Sequence, residues 1–229
     1  MAKKIIVDNR YAEVANIYWG SQFEILPSKT ATNLATPVCA HPDMVLVQVG
    51  DLFIAEPSVF SYYQNLLPEE RIFCGKTHLS ANYPMDIAYN VLISPKGAIA
   101  NKAHTDVFLK EQLNALKTPL ISVKQGYAKC SAAVAGNCVI TADRGVLNAA
   151  EELGLSALLI SPGDVRLYGY DYGFIGGATG FIDGTLCFFG DITKHRDFEQ
   201  IHSFLQQNDV PYTYIPDYPL TDVGTLIGI

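Results

Sequence analysis

The sequence predicts an α/β fold in which five ββαβ units, arranged like the blades of a propeller, form a closed ring. Three observations predict this fold: a tight hairpin recurs four times, a helix and a further strand follow each hairpin, and the two ends of the chain complement each other. Because such a repeat decides the whole architecture, each element is assigned from its place in the repeat.

Four apolar stretches each fold back on a tight turn. Three of the turns are Gly50-Asp51, Gly136-Asn137 and Asp183-Gly184, and the fourth contains Pro95 and Gly97. Glycine, Asn and Asp are the residues that hairpin turns with positive φ require. The predicted hairpins therefore cover residues 44–55, 87–100, 131–141 and 179–189.

A capping residue and an amphipathic helix follow each hairpin. Apolar residues recur three and four positions apart, as on one face of a helix, and a Ser, Thr or Asp precedes each run. The predicted caps are Ser58, Thr105, Asp143 and Thr193. A short strand then completes each unit of about 45 residues. These strands are predicted at residues 71–74, 120–123, 157–160 and 212–215.

The ends of the chain supply a fifth unit. Residues 222–229 look like the first strand of a hairpin without its partner. Residues 3–8, a helix over 11–18 and a strand at 23–26 look like a unit that lacks its first strand. We therefore expect residues 222–229 to pair antiparallel with residues 3–8, which closes the ring and removes exposed strand edges. Residues 1–229 then form a single domain.

Composition and charge limit the kinds of molecule that the protein is expected to bind. The chain is 49% hydrophobic and 17% charged, which argues against disorder, and its formal net charge is −7. An acidic chain lacks the basic field on which nonspecific nucleic-acid binding depends, so cations are the easier partners. The N-terminal apolar run is too short for a signal peptide, and no run approaches the ~20 residues that cross a bilayer. Five irregularly spaced cysteines fit reduced thiols, so we expect a cytoplasmic protein without nucleic-acid or membrane partners.

Equivalent positions of a repeat ring meet around its axis, so the residues that begin each first strand form the candidate site. Carboxylates that converge at low dielectric repel one another unless a cation neutralises them, and a guanidinium matches carboxylates in bidentate geometry. The sequence thus predicts a small cationic ligand at one mouth of an axial channel. Alternatively, each Asp caps its own strand by accepting backbone N–H bonds. The positions are Asp43, Asp86, Lys129 with Cys130, Gly176 with Gly177, and Asp222.

Cys130 is the one thiol at such a position. The charge of Lys129 beside it would lower the pKa of the thiol and favour a nucleophilic thiolate. We therefore expect Cys130 to open on the channel and to react with iodoacetamide faster than Cys138 or Cys187. The alternative is a buried structural thiol, since Cys is among the most buried residue types.

This plan resembles the pentein, or guanidino-modifying-enzyme, superfamily along the full chain. The superfamily includes arginine deiminases, dimethylargininases, agmatine deiminases, amidinotransferases and the noncatalytic ribosome anti-association factor six. His41-Pro42-Asp43 resembles its His-x-Asp motif, and Gly176-Gly177 resembles the centre of its acid-Gly-Gly-acid motif, with Ile175 and Ala178 in place of the acids. The chain is more similar still to a bacterial branch for which the resemblance implies no activity.

The resemblance implies two functions of different classes. In the first, Cys130 attacks a guanidinium carbon and His41 acts as acid and base, in a guanidine hydrolase or amidinotransferase. The substrate-binding positions are then Asp43, Asp86, Lys129, Gly176, Gly177 and Asp222. In the second, a noncatalytic protein binds a macromolecule through a flat face. A deep pocket with Cys130 and an acid favours the first, and a filled channel beside an exposed face favours the second. In both we expect no metal and no cofactor, and a homodimer stays an open alternative.

Overall fold

The computed structural model describes residues 3–229, so residues 1 and 2 of the predicted domain lie outside the described part. It contains five three-stranded sheets, as the repeat predicts. The strands are β1 (Lys4–Val7), β2 (Glu24–Pro27), β3 (Leu46–Val49), β4 (Leu52–Ala55), β5 (Arg71–Cys74), β6 (Leu92–Ser94), β7 (Gly97–Ala100), β8 (Leu120–Ser122), β9 (Ala132–Ala135), β10 (Cys138–Thr141), β11 (Ser156–Leu159), β12 (Thr179–Ile182), β13 (Thr185–Phe188), β14 (Tyr212–Tyr214) and β15 (Ile227–Gly228). The α-helices are α1 (Ala12–Trp19), α2 (Pro42–Val45), α3 (Phe60–Leu66), α4 (Val107–Ala115), α5 (Arg144–Glu152) and α6 (Phe198–Gln207).

Each complete unit has the predicted ββαβ order. In the unit of β3, β4 and β5, the first two strands form an antiparallel hairpin with Gln48 opposite Phe53. The third strand pairs parallel to the second, after the crossover through α3, and Ile54 lies opposite Phe73. The hairpin turns require positive φ at Gly50 (+62°) and Gly136 (+57°), where residues with a Cβ would be strained.

Helix starts follow the prediction in α5 and depart from it by one residue in α4. The side chain of Asp143 accepts the N–H of Val146 at the start of α5, as predicted. In α4 the cap is Asp106, which accepts the N–H of Leu109, and not the predicted Thr105. A carboxylate forms a charge-assisted bond to the backbone and also complements the helix dipole, which favours Asp over the neighbouring hydroxyl.

The other two predicted caps are wrong. Ser58 makes no cap bond, because α3 begins only at Phe60 and Glu56 accepts the N–H of Ser58 instead. Thr193 lies inside a 3-10 turn capped by Asp191, and α6 begins later, at Phe198. In both places an acid just upstream accepts the backbone N–H of the hydroxyl residue itself, so that residue lies inside a turn and not at a helix start.

The predicted closure of the ring is confirmed. β15 pairs antiparallel with β1, with Ile5 opposite Gly228 and Ile6 opposite Ile227. The strand is shorter than the predicted 222–229, because residues 222–226 instead bend around the chain before β12. There the carbonyl of Gly177 accepts the N–H groups of Val223 (3.0 Å) and Thr225 (2.8 Å).

The first strand of each hairpin, together with β15, lines the axis of the ring. β12 contacts both β9 and β15, and β6 contacts β9. The helices pack outside the sheets with one apolar face inward, as shown by the buried Leu109 and Leu113 of α4. Among residues 3–229, none of the helices has the length and apolarity needed to span a membrane.

Candidate functional site

The strand-start positions of four units meet at the axis. Asp43 lies in the single helical turn α2 directly before β3, and Cys130 lies just before β9. Sγ of Cys130 lies 3.1 Å from Oδ2 of Asp43. Gly177, before β12, donates its N–H to the carbonyl of Cys130 and is packed against Asp222, which precedes β15. The structure therefore brings Asp43, Cys130, Gly177 and Asp222 together, as the repeat predicts.

Cys130 is buried and protonated in this arrangement. Its exposure is 4%, equal to that of Cys138 and Cys187, and it does not line the axial cavity, so the expectation that Cys130 opens on the channel is not met. Burial raises the pKa of the Cys130 thiol well above its ordinary value, and the charges of Asp43 and Asp222 raise it further. The expectation that Lys129 produces a thiolate is therefore wrong, because desolvation and two carboxylates outweigh one cation.

Lys129 is held by Thr225, a residue that the sequence analysis missed. Nζ of Lys129 donates to Oγ1 of Thr225 (2.8 Å) and to the carbonyl of Gly176 (3.3 Å). Oγ1 of Thr225 also lies 2.9 Å from Oδ2 of Asp43. Burial lowers the pKa of Lys129, and the neighbouring Asp43 opposes that shift.

The backbone of Thr225 is strained. Its φ is +74°, a conformation that a β-branched residue rarely adopts. The strain persists where the surrounding bonds fix the residue, and here its hydroxyl joins the lysine and the acid. Nothing in the local sequence indicates this conformation, since glycine is the residue expected at such a position.

Asn90 is the second residue that the sequence analysis missed. Its Oδ1 accepts the backbone N–H groups of Lys129 (2.9 Å) and Cys130 (3.2 Å). Its Nδ2 donates to Sγ of Cys130 (2.9 Å) and to the carbonyl of Asp43 (3.2 Å). A single amide thus fixes the backbone and the side chain of the thiol relative to the acid.

Asp86, the predicted acid of the same unit, does not join this cluster. Its Oδ2 accepts the hydroxyl of Tyr127 at 2.5 Å, and within residues 3–229 its buried Oδ1 has no hydrogen-bond partner. Burial raises the pKa of Asp86, and the bond from Tyr127 opposes the shift. Of the perturbation expected among the three acids, the structure shows that Asp43 adds to the raised pKa of Asp222, whereas the pKa of Asp86 is raised by its own burial.

Asp222 is enclosed by backbone. Its carboxylate accepts the N–H groups of Phe174 (2.9 Å) and Gly224 (3.0 Å), so this acid does bind backbone as the alternative interpretation held. Burial raises its pKa, the facing His41 opposes the shift, and Asp43 adds to it. A Cβ at Gly177 would overlap the Asp222 carboxylate, and one at Gly176 would overlap the carbonyls of Lys129 and Ala132. Close packing alone thus requires both glycines.

His41 lies between two acids and does not face the thiol. Its Nδ1 is 3.7 Å from Oδ1 of Asp222, and its Nε2 is 3.8 Å from Oδ2 of Asp8. Asp8 is in turn paired with Arg10. Within the described residues, buried Nε2 of His41 has no hydrogen-bond partner. The sequence analysis paired His41 with Cys130, whereas the structure places it in an acid cluster of the unit that closes the ring.

An axial cavity of about 480 Å³ reaches Asp43, Lys129 and Thr225. It opens among the hairpin turns at Gly50, Pro95 and Gly136, at the far end of the axial strands. Cys130, His41, Asp86 and Asp222 are not among its lining residues within the described part of the chain. The full lining is Asp43, Leu46, Val47, Gln48, Gly50, Tyr89, Val91, Ile93, Ser94, Pro95, Lys129, Val134, Gly136, Thr179, Gly180, Phe181, Thr225, Leu226, Ile227 and Gly228.

The strand-start end of the axis is covered by aromatic rings. The ring of Tyr127, which binds Asp86, lies 5.8 Å from the ring of Tyr83 and 6.3 Å from that of Phe174. Over residues 3–229, no group of three or more His, Cys, Asp or Glu side chains is placed to hold a metal ion. The accessible chemistry of the axis is therefore a carboxylate, a lysine and a hydroxyl at the bottom of an open cavity.

The architecture is the pentein fold. A dimethylarginine dimethylaminohydrolase from Pseudomonas aeruginosa, a cysteine-to-serine mutant with citrulline, is similar with a TM-score of 0.58 and 10% identity, covering 94% of this chain and 92% of that one. Agmatine deiminase from C. jejuni gives 0.55 and 10%, covering 94% and 87%. The amidinotransferase SxtG from Microseira wollei gives 0.54 and 11%, covering 95% and 89%. At these identities the likeness concerns the fold.

The family itself is shown by sequence. The model of DUF6873, a family of unknown function, matches residues 6–227, and the chain belongs to that family. None of the curated proteins matches the chain.

Proposed function

We propose that this protein binds a small cationic ligand of the guanidinium type at Asp43, at the bottom of the axial cavity. One observation carries the proposal: Oδ1 of Asp43 is buried and, within the described residues, has no hydrogen-bond partner, while Asp43 lines an open cavity. A buried carboxylate oxygen without a donor is costly, and a ligand N–H would remove that cost.

The other polar groups of the cavity floor support a donor as the missing group. Lys129 already has two acceptors, and Oδ2 of Asp43 already has Thr225 and Cys130. Burial lowers the pKa of Lys129, and the neighbouring carboxylates of Asp43 and Asp222 oppose that shift. Oδ1 of Asp43 is thus an acceptor without a donor among the described residues, as expected for a site that takes a guanidinium or an ammonium group.

The open cavity favours a small-molecule function over macromolecular binding. A protein that uses a flat face was expected to have a filled channel, whereas about 480 Å³ is open here. Volumes of this size fall in the range of small-molecule sites.

An enzymatic form of the proposal uses Cys130. The thiol donates to Asp43 at 3.1 Å, so this acid connects Cys130, which does not line the cavity, to a guanidinium bound in the cavity. The charge of that guanidinium would lower the raised pKa of the thiol, and attack would require the ligand to pass Asp43 towards sulfur. Asp43 would take the thiol proton as sulfur bonds to the guanidinium carbon, and the departing amine would carry that proton away. Water would then cleave the carbon–sulfur bond, releasing a ureido product in a hydrolase. An acceptor amine in its place gives an amidinotransferase.

The binding proposal is tested by calorimetry with methylguanidine and with its neutral counterpart methylurea. We expect methylguanidine to bind and methylurea to bind at least tenfold more weakly, since the neutral compound lacks the charge that pairs with Asp43. Asp43→Asn should remove this preference, and Asp171→Asn, at a solvent-exposed acid, should keep it. Equal binding of the two compounds to the folded wild-type protein would contradict the proposal.

The enzymatic form is tested by a colorimetric assay for ureido products with the wild-type protein and Cys130→Ser. We expect arginine, agmatine and methylated arginines to be poor substrates, because Ile175 and Ala178 stand where the resembling motif has acids. Rapid product formation that disappears in Cys130→Ser would place the protein among the enzymes. Absence of product with every guanidine that binds would restrict the function to binding.

A further inference from the structure

The side chains of the axial cavity form two layers above its floor. Alternate residues of a strand face the same side, so residues two apart on the axial strands point into the cavity together. The inner layer, next to the floor, comprises Leu46 and Thr179 at the starts of β3 and β12, with Val91 just before β6 and Thr225 before β15. The mouth layer, at the open end, is Gln48, Ile93, Val134, Phe181 and Ile227.

Charge is confined to the floor. Of the described residues that line the cavity, Asp43 and Lys129 are charged, and both layers above them consist of neutral side chains. Phe181 of the mouth layer is 41% exposed, which leaves an apolar ring at the opening. A ligand that places its cation on Asp43 therefore extends past uncharged, mostly apolar walls on its way to solvent.

From these two layers we infer that the ligand is an alkyl monocation: a guanidinium or ammonium head on an unbranched apolar tail, without a carboxylate. The inference rests on the proposed function, since it takes the head to bind Asp43. A free amino acid such as arginine would bring its carboxylate against the two neutral layers, where that charge has no cationic partner and its desolvation is costly. A second cationic group on the tail would meet the same lack of partners.

Tail length should set the affinity. Burial of a methylene contributes enough to tighten binding by about fourfold, as long as the added carbon stays within the apolar layers. The ligand enters past Gly50, Pro95 and Gly136, because these turns surround the opening. The opposite end of the axis is covered by Tyr83, Tyr127 and Phe174.

The experiment is calorimetric titration of the full chain with butylguanidine, hexylguanidine, hexylamine, hexylurea and arginine. We expect hexylguanidine to bind about fifteenfold more tightly than butylguanidine, since it has two more methylenes to bury. We expect arginine to bind more weakly than butylguanidine, and hexylurea more weakly than hexylguanidine. Comparing the affinities of hexylamine and hexylguanidine identifies the preferred head group.

Two variants and one matched control test the walls of the cavity. Phe181→Ala should reduce the gain from butyl to hexyl, because part of the apolar mouth layer is lost. Gln48→Arg supplies a cation at the mouth layer and should raise the affinity for arginine by about fivefold, whereas Gln48→Met, of similar size without the charge, should not. Circular dichroism checks that each variant folds.

The outcomes distinguish the proposed cation site at Asp43 from the inference that its ligand is an alkyl monocation. If neither guanidine binds, or hexylurea binds as tightly as hexylguanidine, the proposed cation site is wrong. If the guanidines bind more tightly than the urea but arginine equals butylguanidine and tail length has no effect, the cation site stands and the alkyl monocation is wrong.

Discussion

The thiol of Cys130 donates to Oδ2 of Asp43 across 3.1 Å, although the two residues lie 87 positions apart in the chain. The contact joins the first and third complete units of the ring. The reactivity of the Cys130 thiol therefore depends on Asp43, because the negative charge of Asp43 is one of the causes that raise the pKa of the thiol.

Cys130 should therefore be alkylated more slowly than the partly exposed cysteines. Cys39 and Cys74 are partly exposed, whereas Cys130 is buried and protonated. We expect iodoacetamide to modify Cys39 and Cys74 well before Cys130, as followed by peptide mass spectrometry. A Cys130 that reacts first would contradict the closed, protonated thiol described for the free protein.

Replacing the buried Asn90 should destabilise the protein more than replacing an exposed asparagine. Asn90→Ala leaves the buried N–H groups of Lys129 and Cys130 without an acceptor, which should cost about 2–4 kcal/mol in the free energy of unfolding. Asn114→Ala, on the exposed face of α4, should change stability by less than about 0.5 kcal/mol. Urea denaturation measures both, and equal losses would refute the role assigned to Asn90.

The hydroxyl of Thr225 should contribute more to the stability of the protein than its methyl group. Thr225→Val leaves Lys129 and Asp43 without their shared partner and should destabilise the protein by about 1–3 kcal/mol, whereas Thr225→Ser keeps the hydroxyl and should be nearly neutral. Thr213→Val, at an exposed position of β14, is the control. Thermal unfolding compares the three, and a Ser variant as unstable as the Val variant would show that shape, and not the hydroxyl, is required.

Lys129→Met should change the pKa of Asp222 but not the pKa of Asp86. Its charge acts on Asp222, so its removal should raise the already raised pKa of Asp222. The pKa of Asp86 should stay where it is, because burial and Tyr127 determine it. Carboxylate carbon shifts followed by NMR through a pH titration test this, and an unchanged Asp222 would disprove the coupling.

Asp86 predicts a pH dependence of stability. Its folded pKa is raised, so between the ordinary Asp pKa of about 4 and the folded value the native state holds a proton that the unfolded state has lost. Stability falls as pH rises through that window. Asp86→Asn keeps an acceptor for Tyr127 and removes the penalty, so its stability relative to wild type should improve as pH rises from about 4 through the folded pKa of Asp86 and then level off. Glu152→Gln, at an exposed acid, should show no such trend. A pH-independent effect of Asp86→Asn would overturn this account.

The sequence predicts the fold well because the repeat is carried by backbone requirements. Turn residues such as Gly50 and Gly136 need positive φ, and that need is visible in the residue type. Helix starts are less certain, since Thr105 and Asp106 are both suitable caps and only the packed backbone selects Asp106.

The site is predicted in part. Asp43 and Cys130 reach the axis because they lie just before axial strands, and Asp222 begins the segment that bends around Gly177 before β15. Asp86 and Asn90 both precede β6, and the conformation of the loop between them decides which reaches Cys130. Spacing along the chain contains no information about that loop. Thr225 is hidden for a related reason, because its position matters only once the chain bends around Gly177.

The pairing of β1 with the two-residue β15 has a consequence for the order of folding. Four units are contiguous in sequence and can form from local contacts, whereas the fifth needs Ile6 and Ile227 to meet from opposite ends of the chain. Contacts of high sequence separation form slowly, because loop closure must precede their gain. Asp222 and Thr225 lie in the last segment to dock, so the cavity floor is completed only when the ring closes, and a ribosome-bound chain that lacks this segment cannot contain the site.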